Sequence, residues 1–213
     1  IAKYLGSLPS INRKETFKDN HMDIRKGQIK NVFAKAQETP MATIMFLYSG
    51  SCKYDLRNNV LLSFLDQALD LVYTAEIREK EGGTYGVSCN GSLSKYPTEK
   101  GAFQVYFDTD PNRREEMVKL INEGIQEFIE KGPVSEDLSK VKEYMLKTYK
   151  QNQKENGYWM NILNTYYWEN LDMNTGYEEA VNAISGDDLK AFAKTFFGQK
   201  NEVEVSMSSP VQK

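Results

Sequence analysis

The chain has 213 residues, of which 40% are hydrophobic and 27% are charged, and its formal net charge is −3. This length suits one ordinary domain with a tail, and the apolar content is too high for an intrinsically disordered chain. Acidic and basic residues are interleaved without a long basic run, which argues against a nucleic-acid-binding module, and no apolar stretch approaches the roughly 20 residues of a membrane span.

The beginning of the chain differs in character from the rest. A short helical start at Ile1–Leu5 is stopped by Gly6 and Pro9, and the polar stretch after them suits an extended linker. We therefore predict that residues 1–29 are the tail of a preceding domain and a linker. Residues 30–213 are predicted to form one domain.

Strand-like and helix-like patterns alternate in the first half of this domain. Two strands, Asn31–Lys35 and Met41–Ser49, come first, and the second is apolar at nearly every position, as in a central strand covered on both faces. A long helix is predicted at Tyr54–Glu79, with Gly82 and Gly83 ending it. Alternating apolar residues around positions 85–89 and 103–107 then predict a hairpin that turns near residues 95–100.

The second half is predicted to be mainly helical. Asp110 and Pro111 open a helix that Gly132 stops, Ser135 caps the next helix, and helical spacing continues through Trp168. The run Ser185-Gly186-Asp187-Asp188 resembles a capping box that opens a last helix, and residues 203–207 alternate as a last strand. The predicted order is β-β-α-β-β-α-α-α-β, an α+β fold with a mostly antiparallel sheet and long helices layered on one face.

The residues that could carry chemistry are few. A catalytic zinc site usually takes three protein ligands, and His21, in the predicted linker, is the single histidine of the chain. A serine triad also requires a histidine, and the glycines at positions 82–86 lack the lysine and the spacing of a phosphate-binding loop. We therefore predict no catalytic residue, no metal site and no cofactor in this chain, which by itself is not expected to be an enzyme.

One segment carries a resemblance to a known family. Residues 77–87 read IREKEGGTYGV, so that an arginine at the end of a long helix, Arg78, precedes a tyrosine at the start of a strand, Tyr85, by seven positions. This arrangement resembles the second half of pitrilysin and insulinase (inverzincin) zinc metallopeptidases. Residues 4–9 are similar to the end of the preceding domain in that family, residues 30–50 to its first strand pair, and residues 203–210 to its last strand.

The resemblance implies a processing-peptidase-like, non-catalytic C-terminal domain. Such a domain closes over the N-terminal zinc-bearing domain of the same or a sister chain and holds unfolded peptide for hydrolysis, with Arg78 and Tyr85 as substrate-binding residues. Zinc is then expected in the N-terminal part of the parent protein, which would be a zinc-dependent metalloendopeptidase. The alternative is a zinc-less processing-peptidase-like subunit that acts only in binding or assembly.

Several interpretations stay open on the residues alone. Arg78 could instead pair with Glu81 at the end of the helix, and Tyr85 could be an ordinary strand aromatic. The aromatic-rich stretch at residues 158–168 could line a ligand cage, although its helical spacing favours core and inter-domain packing. No residue marks the compartment, and relatives occur in the cytosol, in the periplasm and in organelles. Among these we weakly favour a bacterial periplasm or cell envelope.

Overall fold

The structure is a computed structural model that describes residues 1–9, 11, 16, 18–75 and 84–210, with residues 84 and 85 described for their backbone alone. A five-stranded sheet has the spatial order β1-β5-β2-β4-β3. Its strands are β1 (Gln28–Ala34), β2 (Ala42–Ser51), β3 (Thr84–Ser94), β4 (Lys100–Thr109) and β5 (Glu202–Ser208). Only β1 and β5 pair in parallel, and all other neighbours within this sheet are antiparallel. The mostly antiparallel sheet and the central position of β2 confirm the prediction.

Six helices occur in the described part of the chain. They are α1 (Leu56–Tyr73), α2 (Arg114–Lys131), α3 (Ser135–Asn152), α4 (Asn156–Glu169), α5 (Tyr177–Ala183) and α6 (Gly186–Phe197), and a 3-10 turn at Pro111–Arg113 precedes α2. The α+β fold class is confirmed. Within the described ranges, no helix combines the length and the apolar character needed to cross a membrane.

The helical stretch after residue 135 is divided more finely than the sequence pattern indicated. Asn170 ends α4 in the left-handed conformation, with φ of 52°, and the side chain of Asp172 then accepts hydrogen bonds from the amides of Asn174 and Thr175. These are local turn interactions that asparagine and aspartate favour. They separate α4 from the short α5, and a second break at residues 153–155 separates α3 from α4. The structure therefore has two more helices than the predicted order.

The predicted helix boundaries can be compared with the observed caps. The capping box at Ser185 and Asp188 is confirmed, and Gly132 ends α2 with φ of 76°. The cap of α3 is different, because Val134 occupies the N-cap position without a side-chain hydrogen bond and Ser135 is the first helical residue. The predicted end of the first helix at Glu79, and the glycines after it, lie outside the described residues.

The core lies between the helices and one face of the sheet. In β2, Ala42, Ile44, Phe46 and Tyr48 are buried while the alternate positions are half-buried. Burying a large apolar side chain contributes about 1.5–3 kcal/mol. The sequence suggested a strand covered on both faces, whereas the helices in the described part of the chain cover one face only. We call the other side the open face, and its half-buried apolar residues include Met45, Leu47, Val203, Val205 and Met207.

Candidate functional site

The two residues predicted to bind substrate belong to the connection between α1 and β3. Arg78 lies outside the described residues. Tyr85 is the second residue of β3, and its backbone is described. The structure therefore defines the two ends between which this connection runs, at Ala75 and Thr84. The polar groups packed around these two ends form the candidate site.

The start of β3 contains a β-bulge at the position of Tyr85. Thr84 pairs with Thr109 and Val87 pairs with Phe107, so Tyr85 and Gly86 together face Asp108 alone. A bulge interrupts the alternation of side chains along a strand, and bulges are frequent beside functional sites. The simple alternation of Tyr85, Val87 and Cys89 in the sequence therefore cannot assign Tyr85 to a face. Gly86 was the available signal, because glycine inside a strand often marks a bulge.

Asp108, the residue opposite this bulge, is the centre of a polar cluster on the open face. No sequence motif indicates this cluster. The Thr43 hydroxyl donates to Asp108 Oδ1 at 2.5 Å, and the Tyr106 hydroxyl donates to Asp108 Oδ2 at 3.1 Å. Desolvation and the neighbouring Asp108 raise the pKa of Tyr106, so its phenol stays protonated at neutral pH. This group can offer a carboxylate acceptor to a peptide amide next to the start of β3.

The end of α1 is fixed against α2 by one buried tyrosine. The hydroxyl of Tyr73, the last residue of α1, donates to the carbonyl of Ile121 at 3.0 Å, and only 1% of Tyr73 is exposed. Gly124 makes room for the ring, because a Cβ atom at that position would lie 2.7 Å from Tyr73 Cε1. The last turn of α1 before the connection is therefore held in place.

Two carboxylates on α1 face the backbone of β3. Asp70 Oδ1 accepts from the amide of Cys89 at 2.7 Å, and the pKa of Asp70 is raised mainly by burial. Asp66, one helical turn earlier, has its Oδ1 atom buried without a hydrogen-bond partner among the described residues. Burial first, and repulsion from Asp70 second, raise the pKa of Asp66 to about 7. A half-buried carboxyl with one oxygen atom unpaired is expected to destabilise the fold when it is ionised.

Replacing Asp66 by asparagine is expected to stabilise the protein at neutral pH. The pKa of Asp66 in the folded state, about 7, lies above the ordinary value of 3.8. Protonated Asp66 therefore contributes its full stability below pH 3.8, and this contribution is lost as the pH rises toward 7. Because Asp66 is only half-buried, solvent screening reduces the effect, and we expect about 1–2 kcal/mol at pH 7.5. Urea denaturation between pH 4 and 8 measures the free energy of unfolding.

The Asp188→Asn variant is the control, because it is expected to change the stability in the opposite direction. The pKa of Asp188 is lowered by its hydrogen bonds with Ser185, so its ionised form supports the capping box and the substitution is expected to lower stability at neutral pH. A wild-type slope between pH 4 and 7 that persists in Asp66→Asn would contradict the role given to Asp66.

The aromatic stretch at residues 158–168 is not part of the core. No residue of α4 is buried, and Tyr167 and Trp168 are 78% and 71% exposed. Tyr158 is the member most engaged within the chain, and its hydroxyl donates to Asn174 Oδ1 at 2.7 Å. The expected core packing is therefore wrong for most of the stretch, because α4 lies outside α1 and α3 rather than against the sheet. Inter-domain packing stays a prediction.

The acidic and histidine side chains do not assemble a metal site in the part of the chain that the structure describes. No group of three or more His, Cys, Asp or Glu residues within these ranges could hold a metal ion. His21 is exposed, and its nearest acidic partner is Asp19 at 3.4 Å. The described site is therefore a set of hydrogen-bonding groups around the bulge of β3 and the end of α1.

Comparison with known proteins identifies the family. The sequence model of the Peptidase M16 inactive domain matches residues 1–145, which include both Arg78 and Tyr85. This is more than half of the chain, and the chain therefore belongs to this family. The resemblance inferred from residues 77–87 is confirmed at the level of the family. No curated protein sequence gives a significant match.

Solved structures of peptidases share the fold. A protease from Helicobacter pylori superposes with a TM-score of 0.80 at 16% identity, covering 97% of this chain and 51% of that one. The periplasmic protease PqqL from Escherichia coli has a TM-score of 0.73 at 18% identity, covering 85% of this chain and 21% of that one. A Bordetella pertussis Tohama I chain assigned as a zinc protease has a TM-score of 0.62 at 14% identity, with 78% and 93% covered. At these identities the likeness establishes the fold, and this chain spans about half or less of the first two proteins.

Proposed function

We propose that this chain is the substrate-chamber domain of a zinc metalloendopeptidase, closing over the zinc-bearing N-terminal domain of the same or a sister chain. The observation that carries the proposal is membership in a family of peptidase domains described as inactive. A domain that does not itself carry the zinc contributes to peptide hydrolysis by binding and orienting the peptide. On this proposal the domain begins with β1 at Gln28, two residues before the predicted boundary at residue 30, and the residues before it are the tail of a preceding domain and a linker.

Arg78 and Tyr85 are proposed to hydrogen-bond the peptide at the scissile bond. A guanidinium with fixed N–H donors and a phenol can both donate to a peptide carbonyl, and both would stabilise the negative charge that develops on that carbonyl oxygen during hydrolysis. Donors supplied by the closing domain make catalysis depend on closure. The bulge at Tyr85 and Gly86 supports this assignment, because it is an irregularity of the kind that positions functional side chains.

The first test is the metal content and activity of the full-length parent protein. We expect the purified parent to contain zinc and to hydrolyse unfolded peptide, and we expect a chelator to abolish hydrolysis and added zinc to restore it. The present chain, purified alone, is expected to show no hydrolysis. Metal analysis and the cleavage of a fluorogenic unfolded peptide provide both measurements.

The zinc-less alternative gives a different result in the same experiment. A parent that contains no zinc, shows no hydrolysis and still binds unfolded peptide or a partner subunit would be a binding or assembly subunit. Hydrolysis by the isolated chain would contradict both candidates, because neither expects this chain to cleave peptide by itself.

A further inference from the structure

β3 is an edge strand of the described sheet, and a helix of the same chain accepts a hydrogen bond from one of its outward-facing amides. Within the described ranges it pairs with β4 on one side only, so alternate amides of β3 point away from the sheet. One of these, the amide of Cys89, donates to Asp70 Oδ1 of α1 at 2.7 Å. The amide of Gly91 also interacts with a carboxylate of α1, that of Asp66. Side chains of α1 thus face backbone amides that would otherwise be available to pair with a further strand.

The spacing of these contacts follows from the geometry of a helix against a strand. Asp66 and Asp70 are four residues apart on α1, a rise of about 6 Å. Cys89 and Gly91 are two residues apart on β3, a span of about 7 Å. The two distances match, so carboxylates on successive turns of α1 face alternate amides of β3, and Asp70 accepts a hydrogen bond from the first of these amides. Close approach is possible because Gly91 has no side chain, and a Cβ atom there would lie 2.5 Å from Leu62 Cγ.

Asp70 makes the stronger of the two attachments. Its carboxylate also interacts with the thiol of Cys89, and burial raises the pKa of Cys89, so the thiol remains protonated and able to donate. Cys89 is a free cysteine and is buried. Asp70 therefore receives donors from both the backbone and the side chain of one residue of β3. Asp66 keeps one oxygen without a partner among the described residues.

These contacts join the last turns of α1 to β3, the strand that contains Tyr85. Asp70 precedes the end of α1 by one turn, and Cys89 follows Tyr85 by four residues. We infer that Asp70 is a positioning residue, which fixes the start of β3 against the end of α1 and thereby sets the place of Tyr85. This inference rests on the proposed function of Tyr85.

The test compares three variants of the full-length parent peptidase. Asp70→Ala removes the acceptor, whereas Asp70→Asn retains an oxygen that can accept from the Cys89 amide. Asp55→Ala is the matched control, because Asp55 also accepts one backbone amide, that of Asn58 at 2.9 Å, at the opposite end of α1. A misplacement of about 1 Å can cost a catalytic step up to 10²-fold. We expect Asp70→Ala to lower kcat about tenfold or more, and Asp70→Asn and Asp55→Ala to change it less than about threefold.

Hydrogen exchange and stability measured on the same variants separate positioning from general destabilisation. The Cys89 amide is expected to exchange faster in Asp70→Ala alone, while Asp70→Ala and Asp55→Ala lower the urea midpoint by similar amounts. An equal loss of kcat in Asp55→Ala would overturn the inference in favour of a structural role. Normal kcat in Asp70→Ala, with a low kcat in Tyr85→Phe, would overturn the positioning role and leave the proposed function standing. Normal kcat in both Asp70→Ala and Tyr85→Phe would overturn the proposed function itself and the positioning role with it.

Discussion

Replacing Tyr85 by phenylalanine in the full-length parent is expected to lower kcat for peptide hydrolysis by about 10²-fold. The substitution removes one hydroxyl and keeps the ring, so the loss reports the hydrogen bond rather than packing. A donor aimed at the developing oxyanion acts in the transition state, and its removal lowers kcat and kcat/KM by the same factor. Steady-state kinetics on a fluorogenic unfolded peptide measures both parameters.

Two companion variants make the result for Tyr85 specific. Tyr144→Phe removes a hydroxyl from an exposed tyrosine of α3 and is expected to leave kcat unchanged. Arg78→Lys keeps the positive charge and loses the planar fork of donors, so it is expected to lower kcat by at least about tenfold. A Tyr85→Phe enzyme with wild-type kcat would refute the proposed hydrogen bond in the transition state. If KM were raised at constant kcat, the Tyr85 hydroxyl would bind the substrate equally in the ground state and in the transition state.

The parts of the fold that the sequence predicted correctly are those encoded by local patterns. The capping box at Ser185 and Asp188 requires only a hydroxyl and a carboxylate three residues apart, and the structure contains it. The hairpin of β3 and β4 turns between Ser94 and Lys100, within the predicted range, because the period-2 pattern stops on both sides of that turn. Such features depend on neighbouring residues, which a sequence shows directly.

The features that the sequence did not reveal depend on contacts between distant residues. The hydrogen bond from the Cys89 amide to Asp70 joins residues 19 positions apart, and neither residue belongs to a recognisable motif. The pairing of Tyr106 with Asp108 is local, yet its link to Thr43 requires the register of β2 against β4. A one-residue bulge likewise leaves the hydrophobic pattern almost unchanged, so only Gly86 indicated it.

The residues of the candidate site also divide into those that the sequence indicated and those that only the fold revealed. Arg78 and Tyr85 were selected by resemblance to a family, and composition and periodicity alone favoured an ion pair and an ordinary strand residue for them. Asp66, Asp70 and Asp108, which lie near β3, were found only when the fold brought α1 and β4 to the two sides of this strand. Sequence resemblance thus indicated the residues proposed to contact substrate, while Asp70, the residue proposed to position Tyr85, was recognisable only from the fold.

Introducing a methyl group at Gly91 is expected to destabilise the protein by about 1–3 kcal/mol. An alanine Cβ at this position would lie 2.5 Å from Leu62 Cγ, and Leu62 is buried in the core with 2% exposure. A loss of stability would point to the clash, because replacing glycine by alanine in a strand without a clash is neutral or stabilises the protein by about 0.4–1 kcal/mol. Urea denaturation of Gly91→Ala gives the free energy of unfolding directly.

A double-mutant cycle shows whether the close packing of α1 on β3 causes that loss. Leu62→Ala alone is expected to destabilise the protein by about 2–5 kcal/mol, because it leaves a cavity. In the Gly91→Ala background the same substitution also relieves the clash. The loss of stability in the double variant should therefore be smaller than the sum of the two single losses by about 1–2 kcal/mol. Gly86→Ala is the control in the same strand, because a Cβ there would meet no atom of the described residues within 4 Å. Additive losses in the cycle, or a Gly86→Ala variant as unstable as Gly91→Ala, would mean that strand propensity rather than contact with Leu62 determines the effect. Coupling between the two positions would instead indicate that a small residue at Gly91 is what lets α1 lie close enough to β3 for Asp70 to reach the Cys89 amide.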